Sequence, residues 1–152
     1  MPMGTCSEGL RAKAVVALGN PDRVDDGVAL RVLSLLSPAQ GVEFLPSLKT
    51  GMDLALSLLG YEKVLVVDAD PALPPGEVRL VPLAAGARRT FVHGLGLAES
   101  LELLRGAGFA VPEAWVLAIG VPPTLPFGCG LSPQVERALP KAKEVVEAWL
   151  RS

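Results

Sequence analysis

Apolar residues fall into two kinds of pattern along this chain. Ala14-Val15-Val16-Ala17-Leu18 is apolar throughout, as a central strand covered on both faces would be. A loop rich in Gly and Asp follows, and then the helix-like run Val28 to Leu36. That helix is expected to start near Asp25 or Asp26, either of which can act as N-cap, and to stop near Ser37-Pro38. Its only polar side chains after Gly27 are Arg31 and Ser34, which predicts a heavily buried helix. Val42 to Leu45 alternates like a strand with one more exposed face, and Pro46 is expected to end it. Gly51 to Leu59 reads as a short apolar helix closed by Gly60. Val64-Leu65-Val66-Val67 is the strongest strand and runs into Asp68-Ala69-Asp70-Pro71.

The second half repeats the alternation. Pro71 to Gly76 is a Pro-rich loop, and Glu77 to Pro82 has period two. The connection between this strand and the one before is too short for a crossover helix, which suits an antiparallel placement. Leu95 to Arg105 carries Leu97, Ala98, Leu101 and Leu104 at helical spacing. Ala114 to Val121 is a further strand, and a Pro/Gly-rich stretch follows it. The last helix starts after Ser132-Pro133, with Val135, Ala138, Leu139, Ala142, Val145, Val146, Trp149 and Leu150 on one stripe. Pro140 lies inside it and is expected to kink it. Strands alternating with helices predict an α/β fold: a doubly wound, three-layer sheet of about five strands with helices on both faces. Neither a repeat nor a linker divides the chain, so residues 1–152 are expected to form one domain, with 1–12 loose.

Composition narrows the function classes. Half the residues are hydrophobic, a fifth are charged, and the formal net charge is -2. That describes a globular protein with no electrostatic case for nucleic acid or an anionic membrane. No apolar run approaches a membrane span, and Met1 to Lys13 holds no signal-peptide core. Cys6 and Cys129, the two cysteines, are widely spaced and are expected to be free thiols in a reducing cytoplasm.

Chemistry concentrates where strands end. In an open α/β sheet, ligands bind beyond the carboxyl ends of the strands. Asp26 lies in the loop after the first strand, Asp68 ends the strongest strand, and His93, the sole histidine, stands just before a helix. Two carboxylates and an imidazole make a plausible site for a divalent transition metal such as nickel or zinc, with open positions for substrate. Each residue also has a plainer role open to it. Asp26 can simply cap a helix, Asp68 can be a turn residue before Pro71, and a lone His can be a surface or core residue. Asp22, Asp25 and Asp70 compete for the same places as loop carboxylates exposed to solvent. Other motifs fail: there is no P-loop, no G-x-G-x-x-G after a strand and no G-x-S-x-G elbow. A Cys129–His93 pair is geometrically open but lacks support.

Taken in order, these pieces resemble one family. Gly19-Asn20-Pro21-Asp22-Arg23-Val24-Asp25-Asp26-Gly27 matches a G-N-(four residues)-D-D/E-G opening. Val64 to Ala69 matches an apolar strand ending in Asp-Ala, and Pro75-Gly76-Glu77-Val78 a following P-G-x-V. His93 to Leu97, Ile119 to Pro123 and Gly130 to Pro133 match the later H-x-x-x-L, G-V-x-P and G-L-S/T-P segments. The sequence resembles the hydrogenase maturation endopeptidases, which trim the C-terminal extension of the [NiFe]-hydrogenase large subunit.

The resemblance implies a five-stranded sheet with one antiparallel strand. It implies that Asp26, Asp68 and His93 are the metal-facing, catalytic residues. The metal would be nickel borne by the substrate, the precursor of a hydrogenase large subunit, so that cleavage follows nickel insertion. It makes the protein a cytoplasmic endopeptidase, of metal-dependent or aspartate type. Two departures stand out. Ser47-Leu48-Lys49-Thr50-Gly51 lacks the family's paired glycines after the second strand, and Ala29 replaces a Gly. The alternatives are a non-catalytic protein that binds nickel or a metallated partner, and a paralogous peptidase for another metalloprotein.

Overall fold

The computed structural model describes residues 12–19, 27–84, 96–122 and 131–152. The elements follow the order β1 (Lys13–Leu18), α1 (Val28–Leu35), β2 (Val42–Ser47), α2 (Gly51–Ser57), β3 (Lys63–Asp70), β4 (Val78–Pro82), α3 (Leu97–Gly106), β5 (Glu113–Gly120), α4 (Pro133–Leu150). The five strands form one sheet in the order β2-β1-β3-β5-β4. β1 pairs in parallel with β2 and β3, β3 pairs in parallel with β5, and β4 runs antiparallel to β5. The mostly parallel sheet with one antiparallel strand is therefore as expected, and β4 is antiparallel because only a short loop separates it from β3.

Side-chain alternation divides the interior into two layers. Val15 and Ala17 of β1, with Leu65, Val67 and Ala69 of β3, pack under α1 and α4. Ala14, Val16 and Leu18, with Val64 and Val66, pack under α2 and α3. A central strand serving both layers has no polar face to spare, which is why β1 reads as an unbroken apolar run.

Several boundaries differ from expectation for physical reasons. Pro46 does not end β2; it pairs with Ala17 inside the strand. β2 is an edge strand, where a missing N–H is tolerated. The α1 helix begins at Val28, with Gly27 at the N-cap and no side-chain cap, rather than at Asp25 or Asp26. Nor is α1 heavily buried: only Val28, Ala29 and Val32 are, and Leu35 is exposed. It lies over one face of the sheet, with Leu30, Leu33 and Leu36 partly buried against the core and Leu35 on the outer side. The α4 helix continues through Pro140, which faces solvent, so water can satisfy the carbonyl freed there.

One junction is tight. Gly76 N–H donates to the Gly120 carbonyl at 3.0 Å, and Gly120 N–H donates to the Glu77 carbonyl at 2.8 Å. A Cβ on Gly120 would lie 2.0 Å from the Pro74 carbonyl oxygen, so backbone fills the space a side chain would need. This clamp fastens the β3–β4 loop across the carboxyl end of β5. Among the described residues, no helix is long and apolar enough to cross a membrane.

Candidate active site

The parallel strands β1, β2, β3 and β5 all end at the same edge of the sheet, and this edge is where the fold can place chemistry. The strongest strand runs longer than its apolar core suggests. It extends through Asp70, so Asp68 and Asp70 are strand residues and not members of the following turn. By alternation both share the α2/α3 side of the sheet with Val64 and Val66.

The two carboxylates are buried, and their surroundings separate them. Asp70 Oδ1 accepts a hydrogen bond from Ala72 N–H at 2.9 Å, and the Asp70 carbonyl accepts from Leu73 and Val121 N–H at 3.2 and 3.3 Å. That is an Asx turn: Asp70 folds the Pro71–Leu73 corner and ties it to the end of β5. Asp70 is thus a structural carboxylate, not a loop group exposed to solvent.

Asp68 is fully buried, and its Oδ1 accepts from Ala69 N–H at 2.9 Å. Its register partner on β5 is Ala118, whose side chain is a single methyl. A carboxylate held this deep is costly unless hydrogen-bonded, paired or engaged with a cation, so the fold keeps it there against a desolvation penalty.

The helices on this side also converge on the edge. Gly96, at φ 82°, is the N-cap of α3, and Gly51, at φ 54°, opens α2. A Cβ on Gly96 would lie 3.9 Å from the Gly51 Cα, so the two helix starts adjoin. His93 precedes Gly96 by three residues in the chain. Asp26 and His93 both lie outside the described residues, as do Asp22, Asp25, Cys6 and Cys129. The expected meeting of Asp26 and His93 with Asp68 therefore rests on the order of the elements. Among the described residues no three His, Cys, Asp or Glu side chains form a metal-binding group.

The segment that lacks paired glycines is described in full. The Ser47 hydroxyl accepts from Lys49 N–H at 3.1 Å, turning the chain after β2 and leaving Leu48 at the tip, 76% exposed. A cavity of about 230 Å³ lies beside it, lined by Gly19, Leu30, Pro46, Ser47 and Leu48. No local sequence pattern marks this pocket, because its walls come from three separate elements. Its one visible signal is an aliphatic residue standing between Ser47 and Lys49.

Comparison with known proteins agrees with this architecture. Residues 39–149 match the hydrogenase maturation protease family, a span that includes Asp68 and His93 and begins after Asp26. No curated protein sequence gives a match. Among solved structures, the hydrogenase maturating endopeptidase HybD from Escherichia coli is 25% identical, with a TM-score of 0.76 over 92% of each chain. The [NiFe] hydrogenase maturation protease HybD from Thermococcus kodakarensis is 27% identical, with a TM-score of 0.68 over 91% of this chain and 98% of that one. HycI from Thermococcus kodakarensis, at 17% identity and a TM-score of 0.66 over 93% of each chain, shares the fold. The match over most of the sequence, on a sheet whose carboxyl edge holds a buried aspartate, shows that this chain belongs to the hydrogenase maturation protease family.

Proposed function

We propose that this protein is the endopeptidase that removes the C-terminal extension from a [NiFe]-hydrogenase large-subunit precursor once nickel is in place. The observation that carries it is the fully buried Asp68 at the carboxyl end of the central strand β3, in a chain of this family. Asp26 and His93 are proposed to join it, since Asp26 follows β1 and His93 precedes α3 in the chain, and β1 ends and α3 begins at that edge. The nickel belongs to the substrate. Two carboxylates and an imidazole are the donor types that would reach a divalent nickel left open on one side.

With the substrate nickel held there, the scissile peptide lies next to the carboxylates. One of them would act as general base toward the attacking water, and the metal would supply polarisation of the scissile carbonyl or activation of that water. Asp70 is assigned a structural role, since its Oδ1 accepts from Ala72 N–H in the turn.

The test is processing of a nickel-loaded large-subunit precursor by the wild type and by Asp26→Asn, Asp68→Asn and His93→Ala. Each substitution is expected to lower the cleavage rate by about 100-fold or more, the scale of a lost acid–base group. Urea midpoints for the three variants separate this effect from unfolding. Normal cleavage by all three would overturn the assignment.

A further inference from the structure

We infer that the cavity beside Leu48 is a specificity subsite for an apolar side chain of the polypeptide substrate, a few residues from the scissile bond. The inference rests on the proposed peptidase function and adds what the substrate must look like.

The location supports it. Gly19 directly follows β1 and Ser47 ends β2, so the cavity sits on the same carboxyl edge as Asp68. β2 and β3 flank β1 on either side, two strand spacings apart, or about 10 Å. An extended peptide covers about 3.3 Å per residue, so a chain with its scissile bond at Asp68 reaches the cavity about three residues away.

The lining supports it too. Leu30, Pro46 and Leu48 are apolar, Gly19 and Ser47 are small, and among the described residues no charged side chain lines the space. At about 230 Å³ the space suits an aliphatic or aromatic side chain; a cavity of about 150 Å³ lined by aliphatic groups already holds a benzene ring. Leu48 is held out at the tip by the Ser47–Lys49 turn, at 76% exposure, with most of its surface free to be covered by an occupant. Leu48 thus offers apolar side-chain contact in a segment where paired glycines would offer only backbone.

The probe is a fluorescent synthetic peptide spanning the cleavage region of the precursor, measured alongside cleavage of the nickel-loaded precursor itself. The proteins are wild type, Leu48→Asp, Leu48→Ala and, as a distant surface control, Leu103→Asp, which changes another exposed leucine. Leu48→Asp is expected to weaken peptide binding and raise KM by about tenfold, with kcat within about twofold, because covering a leucine contributes on that scale. Leu48→Ala falls between, and Leu103→Asp matches the wild type. Serine in place of each apolar residue within four positions of the scissile bond, one at a time, is expected to reproduce the loss at one position and to make Leu48→Asp harmless there.

Unchanged binding and KM in Leu48→Asp would overturn the subsite. Absence of cleavage by the wild type, with Leu48-dependent peptide binding retained, would instead count against the peptidase function and leave the subsite standing. Absence of both overturns the subsite.

Discussion

Asp68 and Asp70 are two residues apart, on the same strand and equally hidden, yet their oxygens meet different amides, Ala69 and Ala72. Asp70 accepts the Ala72 amide and shapes a corner, whereas Asp68 stays at the edge where strands end. In the sequence they are near-equivalents in an Asp-Ala-Asp-Pro run, and only hydrogen bonding separates them. Tyr61 offers a second case at this scale. Its hydroxyl donates to Glu43 on β2, and its pKa is pushed up to about 12, first by that hydrogen bond, then by burial and by the Glu43 charge. Because the folded value lies above the ordinary 10.0, its contribution to stability is present in full below pH 10 and is lost as pH rises toward 12. Tyr61 is the one tyrosine in the chain, so tyrosinate absorbance follows it alone. The expected midpoint is about 12 in the wild type, moving back toward 10 in Glu43→Gln. A midpoint that Glu43→Gln leaves in place would show that Glu43 is not the cause.

At the scale of elements, the β3–β4 loop and the end of β5 are locked by glycine. Replacing Gly120 with Ala drives a methyl into the Pro74 carbonyl, whereas a Cβ on Gly106, at the end of α3, meets nothing within 4 Å. Gly120→Ala is expected to cost about 3 kcal/mol, since neither backbone can retreat. Gly106→Ala is expected to be neutral or to stabilise by about 1 kcal/mol through helix propensity. Urea denaturation of the two variants gives the comparison, and equal midpoints would refute the clamp. Periodicity announced every one of these elements, with ends misplaced by a few residues. The misplacements trace to tertiary setting: Pro46 is allowed in β2 because the strand is at an edge, and α1 buries one stripe and leaves Leu35 on its outer side.

For the whole molecule, one stabilising contact lies at the end of the sheet opposite the proposed site. At the amino end of β1, Lys13 Nζ donates to the main-chain oxygens of Leu150 and Ser152 at 2.6 and 3.0 Å and stands 6.0 Å from the Trp149 ring centroid. Trp149 is buried against the α1/α4 layer, so the last helix closes on the first strand. Trp149→Ala is expected to cost about 3–5 kcal/mol in urea denaturation. At a temperature where the variant remains folded, kcat/KM for precursor cleavage should be unchanged, because the carboxyl edge is at the other end. A matching fall in kcat/KM would show that the two ends are coupled. What the sequence determined by itself was the fold class, the element order and the carboxylates at the strand ends. Those follow from local periodicity and from the rule that strand ends gather at one edge. Only the tertiary structure decided that Asp68 and Asp70 are buried strand residues with distinct hydrogen bonds, that β2 is an edge strand, and that Gly19, Leu30 and Leu48 enclose a common cavity. Burial and pocket walls are made by residues far apart in the chain, and no local pattern encodes which of them will meet.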